Sequence, residues 1–212
     1  MMDAKMKNMA MTALAALSLI LGIVGAMGGT WLVPTGEDAE MMEEMDMEQG
    51  YGLTSVWVTM DVGDADMCEM ALEGMEEDGG EGECDGSELT MTNSFSDICD
   101  DEDDDDACSM ATGGMIGTIG MWAGIVCALI LTLTLALPMA GVDAMDDLPD
   151  IAKTITMWGA GALMLVGMLG WYLMLPDTDS ETGLGMSGWI AGAAMTMGLG
   201  AAATGQFIEA DE

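Results

Sequence analysis

The sequence contains no histidine and no arginine, and its cationic side chains are three lysines, Lys5, Lys7 and Lys153. Without imidazole groups, the chain lacks a common metal ligand and the base of histidine-dependent catalytic triads. Three lysines are too few to replace the counterions of nucleic-acid phosphates. We therefore expect a non-enzymatic protein that does not bind nucleic acid.

Acidic residues, by contrast, number 38, which gives a formal net charge of −35. A charge this large normally accompanies low hydrophobicity and disorder, yet 51% of the residues are hydrophobic and the mean hydropathy is +0.36. Both properties hold together only if apolar and acidic residues are segregated along the chain. Such segregation is typical of a membrane protein.

Four stretches lack charged residues and are long enough to cross a bilayer. A transmembrane helix needs roughly 20 apolar residues, and the polar backbone in lipid favours helices. The predicted spans are residues 9–30, 111–137, 154–175 and 184–207. The first stretch follows Lys5 and Lys7 and also has the features of a secretory signal, so it is either a retained signal anchor or a cleaved segment.

The lysines predict the orientation, because cytoplasmic segments carry an excess of lysine and arginine. With the N terminus inside, four crossings place all three lysines and both termini in the cytoplasm of a multi-pass cell-membrane protein. The expected cytoplasmic segments are residues 1–8, 138–153 and 208–212. The expected extracytoplasmic segments are residues 31–110 and the short loop 176–183.

Residues 31–110 form the predicted outer domain, which holds 27 of the 38 acidic residues and no base. Composition predicts strands at 51–60 and 89–95, a short helix at 67–75 and a loop at 79–82. The expected fold is therefore an all-α transmembrane four-helix bundle with a small β-containing, disulfide-stapled domain between helices 1 and 2.

Four cysteines lie in the outer domain: Cys68, Cys84, Cys99 and Cys108. An even number of cysteines on the oxidising side predicts two disulfides, and all three pairings stay open. A zinc site built from the four thiolates is the alternative, although the usual close-paired spacing is missing. Cys127, in the second span, is expected to be an inert apolar side chain.

Small residues at four-residue spacing favour close helix packing in lipid. This pattern selects the second and fourth spans for the tightest contacts, with the same chain, a second copy or another membrane protein as the partner. The residues are Gly113, Gly117, Gly120, Gly124, Gly188 and Gly192.

The order of these elements resembles that of the claudin and peripheral-myelin four-span proteins. That family has a tryptophan after the first helix, then Gly-Leu-Trp, then two cysteines on neighbouring strands. The matching residues here are Trp31, Gly52, Leu53, Cys68 and Cys84, whereas Thr54 stands where the second tryptophan is expected. The resemblance implies a sheet over a helix bundle and a role in lateral assembly or cell-surface contact.

Methionine thioethers suit Cu(I), and methionines cluster in the outer domain and in the third span. The candidate ligands are Met41, Met42, Met45, Met47, Met164 and Met168. With the glycine pair of the fourth span, they resemble the Met-rich three-span copper transporters. Because the 27 methionines are spread over the whole chain, ordinary packing is the competing interpretation.

The acidic run at residues 100–106 is a candidate site for Ca²⁺ or Mg²⁺, since both ions prefer oxygen ligands. The candidate ligands are Asp101, Asp103, Asp104, Asp105 and Asp106. A solvated acidic surface, as in adaptation to salt, is the competing interpretation. We therefore expect a structural or cell-surface protein whose partners are lipids, cations and membrane proteins, with metal binding or transport as the alternative function.

Overall fold

The computed structural model describes residues 2–77, 81–102, 105–142, 149–176, 182–208 and 210–211. These residues form seven helices and eight strands. In chain order they are β1 (Met2–Asp3), α1 (Ala4–Met27), β2 (Leu32–Pro34), α2 (Gly36–Glu44), β3 (Met47–Tyr51), β4 (Ser55–Asp61), α3 (Ala65–Glu77), β5 (Glu81–Asp85), β6 (Glu88–Ser94), α4 (Phe95–Glu102), α5 (Asp105–Met139), α6 (Asp150–Leu173), β7 (Thr182–Leu184), α7 (Met186–Phe207) and β8 (Ala210–Asp211).

The chain divides into two compact units. The first, here called the helix unit, comprises Met1–Met27, Ile116–Gly170 and Trp189–Glu212. The second, called the sheet unit, comprises Gly28–Met115 and Trp171–Gly188.

Small side chains build the core of the helix unit. Its buried cluster consists of Ala15, Ala128, Leu131, Ala160 and Ala201. Such residues let helix backbones approach closely, which is how helices associate where burial alone gives no driving force. A buried hydrogen bond adds to this packing, since the Ser18 hydroxyl donates to the Ala194 carbonyl at 2.8 Å.

Six strands form the sheet of the sheet unit, in the order β5-β6-β4-β3-β2-β7, and every neighbouring pair is antiparallel. The centre is the β3–β4 hairpin, in which Gly50 pairs with Trp57. The Trp57 indole covers Gly50, because a Cβ atom there would lie 2.5 Å from the ring. Glycine is therefore required opposite this tryptophan.

Local chemistry explains where α3 begins. The Asp64 side chain accepts a hydrogen bond from the Met67 backbone N–H at 2.8 Å, which is the usual capping contact of a helix start. Gly63, just before it, has φ +98°, a conformation that favours glycine. The predicted short helix at 67–75 is thus present and slightly longer.

Three helices, α1, α5 and α6, are long and apolar enough to cross a membrane, which indicates a membrane protein. The fourth predicted span corresponds to α7, which has 22 residues but is not among the three. In place of the leucine, isoleucine and valine that are frequent in the other three helices, α7 is rich in glycine and alanine. Residue 184, the predicted start of that span, belongs to β7.

The sheet is larger than composition predicted. The strand expected at 51–60 is divided between β3 and β4, with a turn in which the Gly52 N–H donates to the Ser55 carbonyl at 2.7 Å. The loop expected at 79–82 is wrong at its end, since β5 begins at Glu81 and pairs with β6. Residues 78–80 lie outside the described part of the chain.

The two ends of the chain meet within the helix unit. Strands β1 and β8 run parallel, with Met2 opposite Ala210 and Asp3 opposite Asp211. The Lys7 ammonium also donates to the Ile208 carbonyl at 2.7 Å. The start of α1 and the end of α7 therefore lie side by side.

Candidate functional site

The acidic residues concentrate in the sheet unit, whose two sequence ranges, 28–115 and 171–188, contain no lysine or arginine. An open groove between α2 and the β3–β4 hairpin gathers five of these carboxylates: Glu43, Asp46, Glu48, Asp61 and Glu88. Within the described residues, no group of three or more acidic, histidine or cysteine side chains has the geometry to hold a metal ion. The groove is therefore a strongly negative surface without a formed ion site.

The acidic run at residues 100–106 crosses the junction of α4 and α5. Asp103 and Asp104 lie outside the described residues, as does the side chain of Asp101. Asp105 and Asp106 open α5 and are exposed to solvent. Two carboxylates at the first turn complement the positive end of the helix dipole, so a structural role accounts for their position.

The methionines proposed as copper ligands fall into separate surroundings. Met41 and Met45 are more than half exposed on and after α2. Met164, by contrast, is completely buried in the helix unit. A Cβ atom on Gly22 would lie 2.9 Å from its terminal methyl group, so Met164 fills the space that this glycine leaves. Copper binding stays a prediction, and packing explains Met164.

All four outer cysteines form disulfides, which join Cys68 to Cys84 and Cys99 to Cys108. The first bridge ties α3 to β5, with Cα atoms 6.0 Å apart, and the second ties α4 to α5, at 4.7 Å. Both distances are ordinary for disulfides. The zinc site of the alternative prediction needs the same four cysteines as free thiolates, and the two bridges use all of them.

The glycines of α5 pack against α6 and the residues after it. Gly120 faces Gly167, Gly124 faces Met164, and Gly113 faces Met174. The spacing predicted close contacts for the second span without naming their partner, and α6 supplies one, because Gly167 offers a second residue without a side chain opposite Gly120.

The glycine pair of α7 behaves differently. Gly188 lies against Leu184 and the Trp31 carbonyl, whereas no described atom lies within 4 Å of a Cβ at Gly192. Close approach of α7 instead occurs at Gly198, beside Ala160 and Gly161, and at Ala191, beside Gly25. Among the described residues Gly192 has no close neighbour, so its predicted role in helix packing stays a prediction for a partner outside the chain.

Two of the residues that carry the claudin-like pattern are buried in the sheet unit. Trp31 is fully buried and Leu53 is 6% exposed. Gly114 of α5 lies directly against the Leu53 carbonyl. Cys68, however, lies on a helix and not on a strand, which departs from that pattern.

A half-open apolar cleft of about 230 Å³ lies in the sheet unit. Its lining comes from β2, β3, α4, the start of α5 and the segments on either side of residues 177–181: Leu32, Tyr51, Phe95, Ile98, Asp106, Ala107, Met110, Leu175, Pro176 and Thr182. Sequence reasoning missed this cleft, since its residues come from six separate segments and share no spacing. The Cys99–Cys108 bridge stands beside it, next to Ile98 and Ala107.

Tyr51 is the titratable phenol of the cleft. Its hydroxyl accepts a hydrogen bond from the Gln49 side-chain amide at 2.8 Å. Burial, and secondly the carboxylate of Asp38, raise the pKa of Tyr51 above its ordinary value. The phenol therefore stays neutral at physiological pH and serves as a hydrogen-bonding group.

Comparison of the chain with known protein families, characterised proteins and solved structures finds no match.

Proposed function

We propose that this protein is a four-span integral membrane protein, claudin-like in architecture, whose acidic outer domain has a structural or assembly role at the cell surface. The observation that carries the span count is the pairing of β1 with β8. Termini that meet lie on the same side of a membrane, which requires an even number of crossings. With α1, α5 and α6 already long and apolar enough to cross, α7 is the fourth span.

The lysines support a cytoplasmic location for both termini. Lys5 and Lys7 lie in the first turns of α1, and Lys153 lies in the first turn of α6. In a four-span arrangement these helix starts share one side, and that side carries every lysine of the chain. By the positive-inside rule it is the cytoplasmic side.

The sheet unit is then the outer domain, and its charge defines how it works. Two copies that approach each other present carboxylates without a compensating base, so they repel unless cations screen the charge. The Debye length falls from roughly 10 Å at 0.1 M salt to roughly 3 Å at 1 M. Lateral assembly is therefore favoured in a salt-rich medium, which agrees with an acid-rich, lysine-poor composition.

The claudin-like architecture is supported by the position of the sheet in the chain. Strand β2 follows α1 directly, and β7 immediately precedes α7 and pairs with β2. Trp31 and Leu53, two of the residues that carry the resemblance, are core residues. Cys68 lies on a helix and not on a strand, so the similarity that we propose to claudins concerns the order of the elements and not the details of the cysteine pattern.

Surface labelling tests the four-span arrangement. In a Cys127→Ser background, Asp3→Cys and Phe207→Cys should react with a membrane-impermeant maleimide from the same side of sealed vesicles. Asp97→Cys, in the sheet unit, should react from the opposite side. Labelling of positions 3 and 207 from opposite sides would contradict an even number of spans.

Counting subunits tests the assembly role. The full chain, fused at its C terminus to a fluorescent protein, is reconstituted into liposomes, and bleaching steps per assembly are counted at 0.05 M and 1 M NaCl. We expect larger assemblies at high salt. The triple variant Glu43→Gln, Glu48→Gln, Glu88→Gln should assemble at lower salt than the wild type. An assembly size independent of both salt and these charges would refute the proposal.

A further inference from the structure

The cleft of the sheet unit has an apolar interior of limited size. Leu32, Phe95 and Ala107 are almost fully buried, at 8%, 4% and 6% exposure, and Met110 and Leu175 are partly buried beside them. The volume of about 230 Å³ is below the roughly 300–1,000 Å³ of pockets for drug-sized ligands. A short aliphatic chain fits this space, whereas a cofactor or a nucleotide does not.

The edge of the same cleft is negative. Asp106 lines it and is exposed to solvent, so a ligand head group at the opening meets a carboxylate. Tyr51 contributes a neutral hydroxyl, and the Asp38 carboxylate acts on that phenol. The ranges 28–115 and 171–188 contain no lysine or arginine. The field at the opening therefore favours a cation.

We propose that this cleft binds a small organic cation carried on a short apolar stem, an alkylguanidinium or alkylammonium ion. The stem lies on Phe95 and Ala107, and the cationic head group contacts Asp106 and stays in contact with water. Lysine and arginine side chains combine an apolar stem and a charged head in the same way. A bare divalent ion does not fit this site, because it requires several oxygen ligands and the interior is hydrocarbon. This activity is separate from the proposed assembly role.

Direct binding measurements on the full chain in a neutral maltoside detergent test the proposal. Saturation-transfer NMR would follow three probes: n-butylguanidinium, guanidinium without a stem, and n-butylurea without a charge. We expect saturable binding of n-butylguanidinium and much weaker binding of the other two. Equal binding of guanidinium would show that the cleft interior contributes nothing, and equal binding of n-butylurea would show that the charge contributes nothing. Either result would overturn the proposal.

Two neighbouring carboxylates provide a matched pair of variants. Asp105 and Asp106 are both exposed in the first turn of α5, but Asp106 lines the cleft and Asp105 does not. Asp106→Asn should weaken n-butylguanidinium binding about tenfold, equivalent to about 1.4 kcal/mol. Asp105→Asn, which changes the net charge equally, should weaken it about twofold at most. Equal losses in the two variants would show general attraction to an acidic surface and refute a site.

A filling variant tests the location of the stem. Ala107→Leu places a larger side chain in the lining of the cleft and should abolish binding of n-butylguanidinium while leaving binding of guanidinium unchanged. Peptide mapping of the Cys99–Cys108 bridge in each variant verifies that the fold is intact. Undiminished binding in a correctly bridged Ala107→Leu protein would place the ligand elsewhere and contradict the proposal.

Discussion

Trp31 and Trp171 pack edge to face, with ring centroids 5.2 Å apart and ring planes inclined at 70°. Trp31 is fully buried and Trp171 is 2% exposed. The Trp31 backbone also participates, since its N–H donates to the Tyr51 carbonyl at 2.7 Å and its carbonyl accepts from the Gly185 N–H at 2.8 Å. The contact joins the chain just after α1 to the end of α6, so it fixes the position of β2 in the sheet.

Truncation of this pair should destabilise the sheet unit strongly. Edge-to-face aromatic pairs contribute about 0.5–1.5 kcal/mol beyond burial, and loss of a buried tryptophan side chain costs about 3–5 kcal/mol. We expect Trp31→Ala to lower the unfolding free energy by about that larger amount, and Trp31→Phe by less. Denaturant unfolding of the full chain in detergent measures both. Trp189→Ala is the control, because Trp189 is 67% exposed, and equal losses at positions 31 and 189 would contradict this assignment.

The sequence was most informative where structure depends on local composition. Long uncharged runs predicted α1, α5 and α6 because hydropathy over 20 residues is itself the physical determinant of a span. Strand β5, with the sequence EGECD, was missed because glycine and acidic residues are poor strand formers. Its pairing with β6 is a tertiary effect that overrides this local preference.

Pairings between distant residues were much less predictable. The cysteine count predicted two bridges in the outer domain, but only the folded chain brings Cys99 beside Cys108 and Cys68 beside Cys84. Similarly, the spacing of Gly120 and Gly124 predicted a close helix contact but not its partner, which is α6. Glycines at four-residue spacing define one face of their own helix. Which helix packs on that face depends on the side chains of the other helices, and the spacing does not contain this information.

Two helix glycines should respond to alanine in opposite directions. A Cβ atom on Gly161 would lie 2.5 Å from the Leu199 nitrogen and 2.9 Å from the Met195 carbonyl oxygen, whereas a Cβ atom on Gly192 would have no atom of the described residues within 4 Å. Because the backbone of α7 cannot yield as a flexible side chain would, Gly161→Ala should cost about 1–3 kcal/mol through overpacking. Gly192→Ala should be neutral or stabilise the protein by about 0.4–1 kcal/mol, since alanine restricts the unfolded chain.

Thermal unfolding of the two variants in the same detergent measures this difference. The comparison is internally controlled, because both substitutions add one methyl group to a helix of the helix unit. If Gly192→Ala destabilised the protein as much as Gly161→Ala does, this result would contradict the open surroundings described for Gly192. A loss at Gly192 only at high protein concentration would instead indicate a contact between copies.

The Cys99–Cys108 bridge should matter most when salt is low. It encloses residues 100–107, of which 100–106 are all acidic, so the bridge holds like charges together. A disulfide contributes about 2–4 kcal/mol to the free energy of unfolding. Without the bridge, repulsion between these carboxylates expands the unfolded chain and so favours unfolding further, and salt screens this second contribution. The double variant Cys99→Ser, Cys108→Ser should therefore lose more stability at 0.05 M than at 1 M NaCl.

The Cys68–Cys84 bridge is the matched control for that experiment. It lies in the same unit but closes a loop with a less dense run of acidic residues. Cys68→Ser with Cys84→Ser should cost stability that varies less with salt. An identical salt dependence for the two double variants would mean that charge within the 100–106 loop is not the cause.

Tyr51 predicts how stability changes at alkaline pH. Burial, with a second contribution from Asp38, raises the pKa of the folded phenol above the ordinary value of about 10. As the pH rises, Tyr51 of the unfolded chain therefore ionises before Tyr51 of the folded protein, because the folded state binds the proton more tightly. The stabilisation is complete below pH about 10 and is lost as pH rises through the higher folded pKa.

Ultraviolet titration of the tyrosinate band isolates this group, because Tyr51→Phe leaves Tyr172 as the remaining tyrosine. The difference between the wild type and this variant should titrate above the ordinary tyrosine range, and the variant should lose less stability between pH about 9 and 11. Asp38→Asn should lower the Tyr51 pKa only partly, since burial is the larger cause. Glu37→Gln, one residue earlier on α2, should shift it less than Asp38→Asn does, and equal shifts from both would mean that overall charge acts on the phenol instead of the neighbouring carboxylate.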